Sequence, residues 1–113
     1  MTQPVLKMAQ SIYDSDSQQD AFKQILEDHL PLFKAEEGTV YEITGEQAYR
    51  CSGDFYALLG ELGISPDLHW LTLRYNGFSS PEEFDGEVKA IVEPNKGLFQ
   101  GLLQKYKSRE RNV

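Results

Sequence analysis

Apolar positions change period several times along the chain, and each change marks an element. Val5 to Tyr13 alternates apolar and polar residues unevenly and stops at Asp14-Ser15-Asp16-Ser17, a loop and helix-start composition. Beyond it Ala21, Phe22, Ile25, Leu26 and His29 fall at i, i+1, i+4, i+5 and i+8, the stripe of an amphipathic helix. The spacing predicts a helix over about residues 18–29, capped by Asp16 or Ser17 and limited by Pro31, with Leu30, Leu32 and Phe33 packing where the chain leaves it. Between Glu36 and Ser52 the texture turns β-branched and aromatic. Thr39, Val40, Tyr41 and Ile43, a Thr44-Gly45-Glu46 turn, then Ala48, Tyr49 and Cys51 read as a hairpin, or as one strand leading into another.

Phe55, Leu58, Leu59 and Leu62 return to helical spacing behind Asp54, an N-cap residue, and Gly63 follows where a helix stops. Ser65-Pro66-Asp67 opens a second short helix. Leu68, Leu71 and Tyr75 give it an apolar face that Trp70 and Leu73 broaden, and Asn76-Gly77 ends it. Residues 77–87 form a polar loop interrupted by Phe78 and Phe84. Val88, Ala90 and Val92 alternate with Lys89, Ile91 and Glu93 as a strand does, and Pro94 closes it. A final amphipathic helix from about Lys96 carries Leu98, Phe99, Leu102, Leu103 and Tyr106. The central order of strand, helix, helix, strand over roughly 48 residues predicts a small α+β unit with added N-terminal and C-terminal helices.

Composition supports a packed core: of 113 residues 40% are hydrophobic and 26% charged, outside the range that leaves chains disordered. Cys51 is the only cysteine, so no intrachain disulfide forms, and in a strand it reads as a buried apolar residue. The formal charge of −7 is uneven. Residues 95–113 hold Lys96, Lys105, Lys107, Arg109 and Arg111 against Glu110 alone, a balance of +4 that leaves −11 on residues 1–94. An acidic body repels phosphate backbones, so nucleic-acid binding by the main domain is not expected. The basic tail complements a helix dipole and an acidic partner. No apolar run matches a signal peptide or a membrane-spanning helix, which predicts a protein made in the cytoplasm with no membrane partner.

Residues 49–94, from Tyr49 through Gly53-Asp54, Tyr56, Leu59, Gly63-Ile64, Asn76, Pro81, Phe84 and Gly86 to the strand Val88 to Pro94, resemble a LysM domain in order and spacing. The resemblance covers 46 residues, about 40% of the chain, and implies an aromatic-led strand at Tyr49, two helices and a closing strand. It divides the chain into an N-terminal helical and strand extension (1–46), a LysM-like domain (47–94) and a C-terminal basic helix (95–113). Gly53 suits the sharp turn into the first helix, and Asn76 suits the left-handed geometry of a helix end. The run Asp67-Leu68-His69-Trp70-Leu71-Thr72-Leu73-Arg74-Tyr75-Asn76 is similar to a segment of the LysM-like baseplate wedge proteins of contractile phage tails.

That likeness implies a structural assembly component of a phage tail or baseplate, located in the virion. It would be held to other tail or baseplate proteins through Phe78, Leu98, Phe99, Leu102, Lys105, Lys107, Arg109 and Arg111. The wider family implies a second function, binding peptidoglycan or another N-acetylglucosamine polymer in a groove lined by Gly53, Asp54, Phe55, Asn76, Gly77 and Phe78. Phe55 stands where many sugar-binding repeats carry a small hydroxyl residue, which weakens the carbohydrate reading. The residues themselves point away from catalysis. Glu82, Glu83 and Asp85 read as a solvated acidic loop, and His29 and His69 lie in different helices without partners at metal-ligand spacing. No enzyme activity, metal or cofactor is expected. Trp70 at helical spacing reads as core, and Gly97 and Gly101 allow close approach to another helix.

Overall fold

A computed structural model describes residues 19–111, with side chains through Ser108. The Asp16 or Ser17 cap and the Val5 to Tyr13 stretch lie outside the described residues. The helical stripe forms α1 (Asp20–Asp28), which buries Phe22 and Leu26; Gln19 occupies its N-cap and its Oε1 accepts from Tyr106 Oη on the last helix. The helix stops ahead of Pro31, as expected, and Pro31 sits in the first turn of the next, α2 (Leu30–Ala35). A first-turn peptide has no intrahelical acceptor, so proline loses nothing there. Phe33 is buried as expected, whereas Leu32 is 46% exposed.

Strands β1 (Thr39–Glu42) and β2 (Ala90–Glu93) pair antiparallel, with Thr39 opposite Glu93, Val40 opposite Val92, Tyr41 opposite Ile91 and Glu42 opposite Ala90. Gly38 permits the entry to this pair: a Cβ there would stand 2.5 Å from the Glu93 carbonyl oxygen and 2.7 Å from Val92 Cγ1. The second half of the expected hairpin is instead a helix, α3 (Gly45–Arg50). Thr44 caps it by accepting from the Gln47 N–H at 3.0 Å, and Gln47 Oε1 accepts from the Thr44 N–H at 3.1 Å. Ala48 and Cys51 face inward at helical spacing, while Tyr49 is 85% exposed. The aromatic-led strand implied at Tyr49 is therefore absent. The partner of β2 is β1, and the division between residues 46 and 47 falls inside α3.

Asp54 caps α4 (Phe55–Glu61), its Oδ1 accepting from the Ala57 N–H at 3.1 Å. A 3-10 turn at Pro66–Leu68 leads into α5 (His69–Tyr75), and another at Pro81–Glu83 shapes the polar loop and sets Phe84 in the core. Three α-helices, rather than two, thus lie between the paired strands. The last helix, α6 (Lys96–Arg111), begins at Asn95, whose Oδ1 accepts from the Leu98 N–H at 2.9 Å. One apolar cluster runs from Phe22 to Tyr106. Within it Phe22 meets Phe99 at 5.8 Å and Tyr106 at 5.2 Å between ring centroids, fastening α6 to α1. The mixed helix and strand content fits the α+β class. Among the described residues no helix is long and apolar enough to cross a membrane.

Candidate functional site

The fold brings together the two loops expected to line a groove. The Gly53 N–H donates to the Phe84 carbonyl at 2.6 Å, and the rings of Phe55 and Phe78 lie 5.1 Å apart. Phe78 also meets Phe84 edge-on at 6.2 Å, so the two residues that interrupt the polar loop join Phe55 in a three-ring cluster in which Phe78 is half-buried. Phe55 is fully enclosed, which removes it as a ligand contact. Gly53, Asp54 and Gly77 remain at the surface, with the Asp54 carboxylate engaged as the α4 cap.

Asn76 departs from its expected role. Its φ is −87°, and Gly77 (φ +89°) takes the left-handed position after α5. The Asn76 side chain instead joins the end of α5 to β2. Its Nδ2 donates to the carbonyls of Thr72 at 2.7 Å and Val92 at 2.9 Å, and its Oδ1 accepts from the Val92 N–H at 3.0 Å. One amide thereby satisfies both peptide groups that Val92 turns away from β1. A primary amide carries the donor and acceptor that this requires.

On α6 the structure separates residues expected to act together. Phe99 is fully buried in the core and so is not an interface residue, while Leu98 and Leu102 are partly buried against that core. Lys105 is exposed and Lys107 half-exposed; the side chains of Arg109 and Arg111 lie outside the described residues. Lys105 borders a cavity of about 230 Å³ between α1 and α6, together with Ile25, His29, Leu102 and Tyr106.

The remaining chemically active side chains have structural partners. His29 Nδ1 lies 2.8 Å from the Ile25 carbonyl and His69 Nε2 lies 2.8 Å from that of Ile64. Glu83 accepts from the Ser79 N–H and Asp85 from the Glu87 N–H, both turn contacts. Among the described residues no group of three or more metal-ligating side chains is assembled. Trp70 is half-exposed, with Lys23 Nζ 5.7 Å from its ring centroid.

Cys51 is buried, although it closes α3 rather than lying in a strand. Its Sγ donates to Glu61 at 3.4 Å; burial first, then this hydrogen bond, push the thiol pKa up. Arg50 binds the same Glu61 at 2.6 Å and holds its carboxyl below the ordinary range.

Three features escaped the sequence. Glu93 is 1% exposed on the core face of β2, where it accepts from Tyr41 Oη at 3.0 Å and has Lys96 at 3.8 Å. Burial, followed by this hydrogen bond, raises the Tyr41 pKa. A cleft of about 520 Å³ opens between the start of α3 and the segment leading to β2, lined by residues that include Ala48, Gly86 and Lys89. Val40, 64% exposed, marks a sheet edge without a strand partner among the described residues. Each depends on pairing across some fifty residues, which local periodicity does not encode. No protein-family model, curated protein or solved structure matches the chain.

Proposed function

We propose that this protein is a non-catalytic structural component of a phage tail or baseplate, an adaptor built on a LysM-like unit and carried in the virion. The observation that supports it best is the internal use of the groove residues. Asn76 is bound to the backbone of α5 and β2, and Phe55 is enclosed, so groups that would meet a sugar hold the fold together. An antiparallel strand pair enclosing short helices keeps the outline of the LysM likeness, with its first strand ahead of residue 49 and three enclosed helices in place of two. Mass spectrometry and cryo-EM of purified particles test this reading. The protein is expected as a stoichiometric, ordered subunit; its absence from the virion would sink the proposal.

The surface position of Gly53, Asp54 and Gly77 beside half-buried Phe78 favours a second reading, recognition of peptidoglycan across these two loops. Co-sedimentation with purified peptidoglycan checks it: retention lost on Phe78→Ala is the expected result, and no retention would dismiss it.

A further inference from the structure

The two outer edges of the sheet are finished differently. Ile43 N–H donates to the Lys89 carbonyl at 2.8 Å, and the register continues through Tyr41 opposite Ile91 and Thr39 opposite Glu93. Antiparallel pairs alternate between hydrogen-bonded and non-bonded, so Val40 and Glu42 turn their peptide groups away from β2. On β2 the outward groups of Val92 are closed by Asn76. On β1 the outward groups of Val40 and Glu42 meet no strand among the described residues.

Edges that stay free are ordinarily guarded by charged side chains, above all lysine, by proline or by a bulge. The strand Thr39-Val40-Tyr41-Glu42 has neither lysine nor proline, its single charge is the carboxylate of Glu42, and its Val40 is exposed. A two-stranded ribbon is marginal alone, and an added strand supplies main-chain hydrogen bonds. The charge around the edge selects the occupant. Around β1, Glu36, Glu37 and Glu42 are exposed, while Glu46 is already paired with Arg50 on α3 at 2.9 Å; Lys89 and Lys96 flank β2 instead. A second copy of β1 would bring Glu36, Glu37 and Glu42 close to the same three carboxylates, whereas a strand alternating cationic and apolar residues sets its cations on the outer face with Glu42 and its apolar residues on the core face with Tyr41.

We infer that the outer edge of β1 docks an extended basic segment of a partner protein, which pairs with the backbone of Val40 and Glu42 as a third strand. This names the surface and partner chemistry of the assembly reading, and rests on that reading for the existence of a protein partner.

Amide exchange of the full chain, followed by NMR with a capped heptapeptide of alternating lysine and valine, tests the inference. Saturating peptide is expected to slow exchange at Val40 and Glu42 about tenfold or more, as strand pairing does. An alternating glutamate and valine peptide is expected to leave it unchanged. Val40→Pro removes an outward donor without touching the β1–β2 ladder, and Val40→Lys adds a cation at an exposed site; each is expected to weaken the peptide's effect about tenfold.

The inference is overturned by protection confined to other residues, by equal protection from the acidic peptide, or by protection already present without peptide. A concentration-dependent dimer that shields the same amides would assign the edge to a second copy, and also overturns it. Protein absent from particles, with peptide protection intact, removes the assembly reading and leaves the docking edge standing. Protein present in particles, with the edge amides unshielded by peptide, overturns the docking edge alone.

Discussion

At the residue scale the decisive side chain is Asn76, because its donors and acceptor replace a third strand along β2. Asn76→Ala leaves the Val92 N–H and carbonyl unpaired in a partly buried site. Urea unfolding is expected to show a loss of about 2 kcal/mol, from a net of about 1 kcal/mol per hydrogen bond and the penalty on orphaned groups. Asn76→Asp separates shape from chemistry: it fills the same space but presents a carboxylate to two carbonyl oxygens. It should be no more stable than the alanine variant at neutral pH, and equal stability to the parent would refute the role.

Near α3, Glu61 gives a signed pH dependence. Its carboxyl is held below the ordinary range by Arg50 first and by Cys51 second. A depressed folded pKa means stability that is present above the unfolded value and lost as pH falls through the folded one. Replacing Glu61 by Gln should therefore flatten the acid limb of the stability curve, measured by thermal unfolding from pH 6 down to pH 2. The burial that raises the Cys51 thiol also hides it, so a small maleimide should modify it at least about a hundredfold more slowly in the native chain than in the unfolded one.

At the element scale, the parts legible in the sequence were those carrying both a period and a terminator. Helix α4 had Leu58, Leu59 and the Asp54 cap; β2 had its alternation and Pro94; α6 had Phe99, Leu103 and Tyr106 at helical spacing. Helix α3 was hidden because Ala48, Tyr49 and Cys51 look β-like, and six residues are too few for a period to declare itself. The readable signal was the Thr44-x-x-Gln47 capping box. The groove was legible as two loops but not as a filled site, since burial of Phe55 and the reach of Asn76 to Val92 are tertiary facts. Helix α6 was read as a docking arm because an apolar stripe does not say whether its cover is internal. Its contacts with Phe22 say that it is. Phe99→Ala should accordingly cost about 3–5 kcal/mol in urea unfolding, and Lys105→Ala, at an exposed position, less than about 0.5. A small loss at Phe99 would return that face to the role of an interface.

For the whole molecule, the consequence is that the stretch 47–94 shares its strand pairing and core with the segments on either side. Its closing strand pairs with residues that precede it, its boundary cuts α3, and the core that covers it draws Phe22 from α1 and Phe99 and Tyr106 from α6. Short segments bury too little surface to offset chain entropy by themselves. A fragment of residues 47–94 would lose β1 and leave β2 as a lone strand, with both flanking helices gone. It is expected to be largely unfolded by circular dichroism and amide dispersion. The full chain should instead unfold in one transition, with Trp70 fluorescence and far-UV dichroism coincident, because Trp70 packs against the same cluster. A folded 47–94 fragment, or two resolved transitions in the full chain, would show that the strand pairing and helix packing are additions to an independent unit. Coincident transitions with an unfolded fragment would make α1, β1 and α6 part of the folding unit.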